Sequence, residues 1–489
     1  MRASLEPSRL IASAIVIALS IAAPAFGAER SVTEEVLEIL QHSGVISEAT
    51  YDELSARARA EAAALAATPA EAPPELPPRA PEDPKGWNVR WNNGTKIERN
   101  DGRFKLKFGG RMMLDFAQVW GDSDLRQTVG NGDFGNGVEF RRARLFAEGT
   151  LYDRLTFKIQ YEFANTGQDG DNVDFKDVYV GLEGLGPVGT LRVGQMKEDF
   201  SLEEMTSSKY IVFMERGLPS VFNPGRNTGV SAYNSFLDGR LRYALGGFHA
   251  TDRGGFGWKD SDGTTYHITG RVTGLPYWEE GGKRLVHLGF DYSHQFTGSG
   301  GTGLRYHRRP EAHLAGPYVD TQIPAPVGGT ATGIAANGVD LFTVEFAANY
   351  DSLSLQAEWQ ASLLDRPGQK DALLWGLYGQ VAYFLTGEHR NYSRKYANFG
   401  RTKLLSTFDP EKGDWGALEL AARVSYLDLN DRGIRGGRLL DFTAGANWYL
   451  WPNLRLMANY VHSKLRNRGT ASPGAGSGNL YEMRLQFDF

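Results

Sequence analysis

The chain has 489 residues, 59 glycines, 12% aromatic residues and no cysteine, which excludes a disulfide framework and any Cys-ligated metal centre. Mean hydropathy is −0.38, and no helix-length apolar run lies beyond the N-terminus, so a helical membrane protein is excluded too. The net charge of −5 is uneven: residues 1–84 hold 6 Arg and no Lys against 13 acids, leaving 47 basic and 45 acidic residues in the rest. Bulk charge therefore announces neither a nucleic-acid partner nor an anion binder, and only local placement could make one.

Residues 1–28 read as a secretory signal. Arg2 and Arg9 precede the apolar core Leu10–Ala23, and small residues follow at Ala23-Pro24-Ala25 or Ala25-Phe26-Gly27. Residues 29–67 predict a short helical periplasmic segment of two helices. The first carries the stripe Val36, Leu37 and Leu40, and Ser47 caps the second. Residues 68–84, with Pro69, Pro73, Pro74, Pro77, Pro78, Pro81 and Pro84, form an extended Ala/Pro-rich linker.

Residues 85–489 have a different pattern. In Val138–Phe163, Leu155, Phe157, Ile159, Tyr161 and Phe163 alternate with Thr156, Lys158, Gln160 and Glu162 after a turn at Tyr152-Asp153-Arg154. Such period-two alternation makes a sheet with one apolar and one polar face. It begins near Phe104 and recurs to the C-terminus. An antiparallel sandwich would explain it, and so would a membrane barrel with lipid outside and water inside. Energy sets the facing within a barrel. One Lys or Arg at the bilayer midplane costs about 2–4 kcal/mol. Lys158, Arg142, Arg242 and Arg423 on the lipid face would together approach a whole protein's stability of about 5–15 kcal/mol. They must face water.

Short connections at 152–154, 184–189, 237–239, 279–283, 350–352 and 450–453 alternate with longer ones at 120–137, 165–172, 197–227, 250–263, 297–339, 429–437 and 466–478. Gly387–Asp414 breaks the alternation, being long on the short-turn side. The count gives an all-β, 16-stranded antiparallel transmembrane β-barrel preceded by the helical segment and linker. Tyr481, Met483, Leu485, Phe487 and Phe489 form an amphipathic final strand ending on an aromatic residue, as outer-membrane barrels do.

Several stretches resemble the phosphate-selective porin O and P family: Phe140-Arg141-Arg142-Ala143-Arg144-Leu145, Phe175-Lys176-Asp177-Val178-Tyr179, Gly194-Gln195-Met196-Lys197-Glu198, Thr206-Ser207-Ser208, the run Phe213–Pro219 and Pro224–Gly229. Arg309-Pro310-Glu311-Ala312-His313 and Gly413–Glu419 look like it too. The resemblance implies a trimeric outer-membrane porin with a long loop folded into its lumen, taking small inorganic anions and surrounded by outer-membrane lipid. No cofactor, metal or catalytic residue is expected.

Segment 197–227 is the expected constriction, since Ile211, Val212, Phe213 and Met214 would not stand exposed on an ordinary surface loop. By motif position, Arg111, Arg142, Arg216 and Arg226 form the constriction set, with Asp177 as counter-charge. Arg242 joins them by its lumenal parity. Arg141 has the wrong parity and needs a bulge or a place above the lipid band. Guanidinium forks match phosphate oxygens bidentately and stay charged. Arg305, Arg308 and Arg309 are expected to funnel anions inward from an external loop, and Arg394 and Lys395 to line the exit; for both clusters a solvated charged loop is the competing reading. Glu203 and Glu204 depart from a purely basic ladder. Competing functions are a general porin for small hydrophilic solutes, a plugged barrel, or a barrel-embedded hydrolase using Ser207 or Ser208. No nucleophile elbow, zinc helix or phosphate-binding glycine loop supports the last.

Overall fold

The computed structural model describes residues 46–67, 85–129, 136–164, 173–252, 264–297, 303–322, 333–469 and 473–489, with 38, 41–42 and 254–255 besides. The signal segment, the Val36-Leu37-Leu40 stripe and the linker lie outside the described residues. The chain divides into two compact units, Met1–Pro81 and Glu82–Phe489. In the first, helix α1 (Glu48–Ala67) follows Ser47, whose Oγ accepts the Thr50 N–H at 3.3 Å. That is the expected cap.

The second unit is a closed antiparallel barrel. Its sixteen strands are β1 (Phe104–Gly121), β2 (Gly137–Leu151), β3 (Leu155–Glu162), β4 (Asp174–Leu182), β5 (Thr190–Lys197), β6 (Arg226–Phe236), β7 (Leu241–His249), β8 (Thr264–Glu279), β9 (Arg284–Thr297), β10 (Gly338–Tyr350), β11 (Leu353–Asp365), β12 (Ala372–Phe384), β13 (Ala417–Asp431), β14 (Ile434–Trp451), β15 (Leu454–Arg468) and β16 (Gly476–Asp488). Closure comes from β16 pairing with β1, from Gly478 opposite Gly121 to Asp488 opposite Arg111. A closed ring leaves no unpaired strand edge in the hydrocarbon. Facing follows the alternation: Val193, Leu245, Val272 and Phe290 point outward, while Arg242, Arg271 and Arg423 are buried inside.

Tight turns at one end come from residues that accept positive φ. Tyr152 and Asp153 (53° and 67°) lie in a three-residue connection and Leu237 and Asp238 (54° and 55°) in a four-residue one, both short enough to join hairpin strands. Two loop expectations need correction. The long connection expected at 429–437 is a two-residue turn, Arg432-Gly433, because β13 runs to Asp431 and β14 starts at Ile434. An eighth loop-end connection, 366–371, joins β11 to β12.

A hairpin not foreseen from the sequence, Trp87–Trp91 with Thr95–Arg99, adds two strands to the sheet beside the start of β1, Thr95 opposite Phe108. Its signal was legible: Trp87, Val89 and Trp91 alternate with Asn88 and Arg90 before an Asn-Asn-Gly turn.

Where β2 and the hairpin flank β1, Phe489 exchanges both backbone hydrogen bonds with Gly110, at 2.8 and 3.1 Å. A Cβ on Gly109 would lie 2.3 Å from the Phe489 carbonyl oxygen and 2.8 Å from the Phe146 ring. Gly109→Val is therefore expected to block closure. The check is heat-modifiable gel mobility, with the variant running at the unfolded position without boiling.

Candidate functional site: the lumen and its constriction

Loop L3 (198–225) folds into the lumen and leans on one half of the wall. The Ser201 N–H donates to Asp291 Oδ2 at 2.7 Å on β9, the Glu203 N–H to Glu358 Oε1 at 2.7 Å on β11, and the Leu218 N–H to Ser425 Oγ at 2.8 Å on β13. The wall answers with donors to L3 carbonyls. Arg455 reaches Ile211 O (2.9 Å) and Val212 O (2.8 Å), Arg484 reaches Met214 O (2.6 Å), and Arg423 reaches Glu215 O (3.0 Å). Ile211, Val212, Phe213 and Met214 are buried, as their run of apolar residues demanded. Loop L5 (298–337) seals the same side, with Tyr306 and Tyr318 packed beside Phe200, Leu218 and Phe222.

The opposite edge of L3 is polar and faces β1–β6. Arg111 Nη1 donates to Ser208 Oγ at 2.8 Å, and Lys197 Nζ lies 2.9 Å from Glu204 Oε1, which also pairs with Arg216. Behind this edge the wall carries Arg144 with Glu162 (2.5 Å), Lys158 between Glu148 (3.2 Å) and Asp177 (3.6 Å), Lys176 with Asp174 (3.2 Å), and Arg226 with Asp177 (2.8 Å).

The two halves differ in water access. Side chains of Arg144, Lys158, Lys176, Lys197, Arg216 and Arg226 are 11–23% exposed, whereas Arg271, Asp291, Glu345, Arg423, Glu311, Arg455 and Glu419 across the lumen are 0–3% exposed. Of these two sets, the one reached by water lies between L3 and β1–β6. With Arg111, the pairs just named hold seven bases against the five acids Glu148, Glu162, Asp174, Asp177 and Glu204, and the lumenal Arg141, Arg142, Asp115 and Glu215 add two of each sign.

Two bulges build this density. Met113 pairs with Arg142 and Leu114 with Phe140, so Arg141 is the extra residue. Both arginines then turn inward to Glu215, Arg141 at 2.9 Å and Arg142 at 3.7 Å. A second irregularity, between Ile159 and Tyr161 in β3, lets consecutive Lys176 and Asp177 both face the lumen. Strict alternation cannot anticipate either pair; bulges re-aim side chains. Lys176 was missing from the expected constriction set for that reason; Arg144, Lys158 and Lys197 were missing too, although alternation already sets Arg144 and Lys158 on the polar face and Lys197 lies in a family-like stretch.

The remaining expected residues are placed as follows. Arg142 is buried against Glu215, and Arg242 is held by Asp199 at 2.7 Å. Arg305 pairs with Asp320 at 2.6 Å, and Arg309 donates to the His313 carbonyl. Arg308 instead reaches inward, to Arg216 O (2.7 Å) and Gly217 O (3.1 Å). Arg394 pairs with Asp238 (2.6 Å) and Lys395 with Glu183 (2.9 Å). These last two belong to the long connection 385–416, which folds across the turn end of the lumen. Its small hairpin (Tyr392–Ser393 with Asn398–Phe399) buries Tyr392 and Phe399, and Asn398 donates to Met205 O of L3 at 2.8 Å. Glu203 sits on the dry side of L3, 3.3 Å from Arg423, and burial pushes its carboxyl above the ordinary value. For Glu204, burial pushes upward but Arg216 and Lys197 overcome it and hold the carboxyl at about 2.

Residues 106–489 match the family described as phosphate-selective porin O and P. The chain belongs to that family. Porin O of Pseudomonas aeruginosa is 27% identical over 425 residues, 82% of this chain and 92% of its own. An uncharacterized protein of Caulobacter vibrioides is 30% identical over 387 residues, 76% of this chain and 71% of its own. Among solved structures, an anion-selective porin from Comamonas acidovorans is similar with a TM-score of 0.49 at 14% identity, over 79% of this chain and 100% of its own. Family and barrel point to an outer-membrane porin, a channel rather than an enzyme.

One L3 group of this porin titrates near neutrality. Burial pushes the Lys209 ammonium down to about 8, against the pull of Asp488 3.0 Å away on β16. Arg111 on β1 and Arg401 of segment 385–416 add to the downward push, and the Tyr210 ring lies beside it. The ammonium is charged below that value and neutral above it. Raising the pH from 7 to 9 is therefore expected to weaken any anion preference, read as a shift in reversal potential. Lys209→Arg, charged throughout, is expected to flatten that shift.

Proposed function

We propose that this porin carries small anions, phosphate or polyphosphate foremost, by passive diffusion through the passage between L3 and β1–β6. The observation that carries the reading is that the charge pairs lining that passage are reached by water while those across the lumen are buried, with bases in excess of acids among the former. Arg111, Arg144, Lys158, Lys176, Lys197, Arg216 and Arg226 present the positive face. Asp177 bridges Lys158 and Arg226 and limits how tightly an anion is held. Conduction needs entry and release, so several moderate contacts serve better than one tight one. Arg142 and Arg242 act mainly by fixing L3. Arg305 and Arg309 edge the outer mouth, and Arg394 and Lys395 edge the exit. The working unit is a homotrimer in the outer membrane, with residues 1–28 removed, 29–67 in the periplasm and 68–84 as a spacer. A general pore for small hydrophilic solutes is the second reading, because most lumenal arginines here are already paired with acids.

Reversal potentials across a planar bilayer in a KCl gradient test the claim. The expected sign is that of chloride preference, with inorganic phosphate blocking the chloride current. Cation preference would overturn it.

A further inference from the structure

Arg192 on β5 stands apart from the other lumenal bases. No carboxylate lies within 4 Å of it among the described residues, whereas Arg226 and Arg242 on the next two strands each hold an aspartate. Aromatic rings position it instead. Its guanidinium carbon lies 4.7 Å from the Tyr179 ring centre, 4.6 Å from Tyr233 and 5.9 Å from Tyr396, and Nη2 donates to the Tyr233 hydroxyl at 2.8 Å. Ring faces attract a cation, by about 0.5–2 kcal/mol each. Unlike a carboxylate, they neither cancel its charge nor compete as a bound anion.

A second observation points to a missing acceptor. Arg192 Nε is enclosed and unpartnered. Arg242, 3% exposed, lies over the same Tyr233 ring at 5.0 Å, and its Nε and Nη1 are also enclosed and unpartnered despite the bond from Nη2 to Asp199. Buried donors left without acceptors cost about 1–3 kcal/mol each. Tyr179, Arg192 and Tyr233 sit near the turn-end termini of β4, β5 and β6, and Tyr396 comes from segment 385–416, whose neighbouring Arg394 and Lys395 are tied to Asp238 and Glu183. The cluster thus lies toward the turn end and adjoins the L3 passage, with Tyr179 opposite Lys158 across the sheet and Arg242 holding Asp199 of L3.

We propose that Arg192, caged by Tyr179, Tyr233 and Tyr396 and flanked by Arg242, is an oxyanion-binding station at the turn-end mouth of the channel. Its ligand is an anion with at least two acceptor oxygens, such as phosphate, sulfate or a carboxylate, matched to the guanidinium fork. The station rests on the anion-channel reading but adds a second stop in series with the L3 passage.

Single oriented channels carrying chloride, with inorganic phosphate added to one side at a time, test it. Arg192→Gln is expected to cut the rate of block from the turn side by about five-fold, the weight of one nearby charge, and to leave loop-side block unchanged. Arg226→Gln in the L3 passage is expected to lower block from both sides. Tyr396→Leu, on a segment outside the barrel strands, keeps the test usable should Arg192→Gln not fold, and is expected to lower turn-side block in the same direction. Unchanged turn-side block in these variants, or an equal fall on both sides, overturns the station while leaving the anion channel standing. Absence of block in the unsubstituted porin overturns both.

Discussion

Lys158→Gln combined with Arg226→Gln is expected to abolish the chloride preference of the channel. Both side chains hold Asp177, at 3.6 and 2.8 Å, and both are partly reached by water. Removing them deletes the excess of two positive charges in the passage and leaves Asp177 bare. A unit charge about 4 Å from a passing ion is worth about 1 kcal/mol even at the dielectric of bulk water. Two such losses lower anion occupancy by on the order of tenfold or more at the narrow, less polarisable site. The reversal potential in a KCl gradient should fall to zero or change sign. Retained chloride preference would place the selective step elsewhere. Adding Asp177→Asn to the pair leaves five bases against four acids and should restore part of the chloride preference, which separates charge from shape.

Glu215→Gln is expected to loosen the whole constriction. Three guanidiniums, from Arg141, Arg142 and Arg484, meet at this one carboxylate at 2.9, 3.7 and 3.0 Å, and Arg484 holds Asp115 as well. Withdrawing one partner from a buried charge cluster costs about 3–5 kcal/mol, because the remaining charges stay desolvated. The strands keep their ladder hydrogen bonds, so the expense falls on L3. Single-channel records should show a larger and noisier conductance, and a quiet trace of unchanged size would deny Glu215 this role. The cluster should resist acid. Burial pushes the Glu215 carboxyl up, but the three arginines overcome it and hold it well below the ordinary carboxylate range. A depressed value means the contribution is complete above that range, about pH 4.3, and lost only as the pH falls far below it.

The barrel was legible because one repeated rule generates it. Leu155, Phe157 and Ile159 outward, with Lys158 and Gln160 inward, is a local statement, and sixteen strands repeat it. Tight turns were legible for the same reason, as at Tyr152-Asp153, and the Ser47 cap needed only its neighbours. Departures from the rule were hidden. Arg141 and Lys176 face inward only because a residue is inserted in one strand of a pair, a fact about two strands at once. Ion pairing was hidden as well. Arg423 and Glu311 are 112 residues apart, and Arg484 and Asp115 are 369 apart. Hence an arginine set with one counter-charge, Asp177, was expected where most arginines turn out to be matched with acids. Segment 385–416 was flagged as anomalous by its length, but its path across the lumen depends on contacts with Met205, Glu183 and Asp238 that no local pattern announces.

Six consecutive or near-consecutive L3 carbonyls, at 211, 212, 214, 215, 216 and 217, accept from arginines of the wall or of L5. A rim stapled this densely has no hinge about which to swing. The constriction is therefore expected to keep one diameter, and its current to steepen with warming no faster than water itself thins. A cell needing more solute would then have to make more copies.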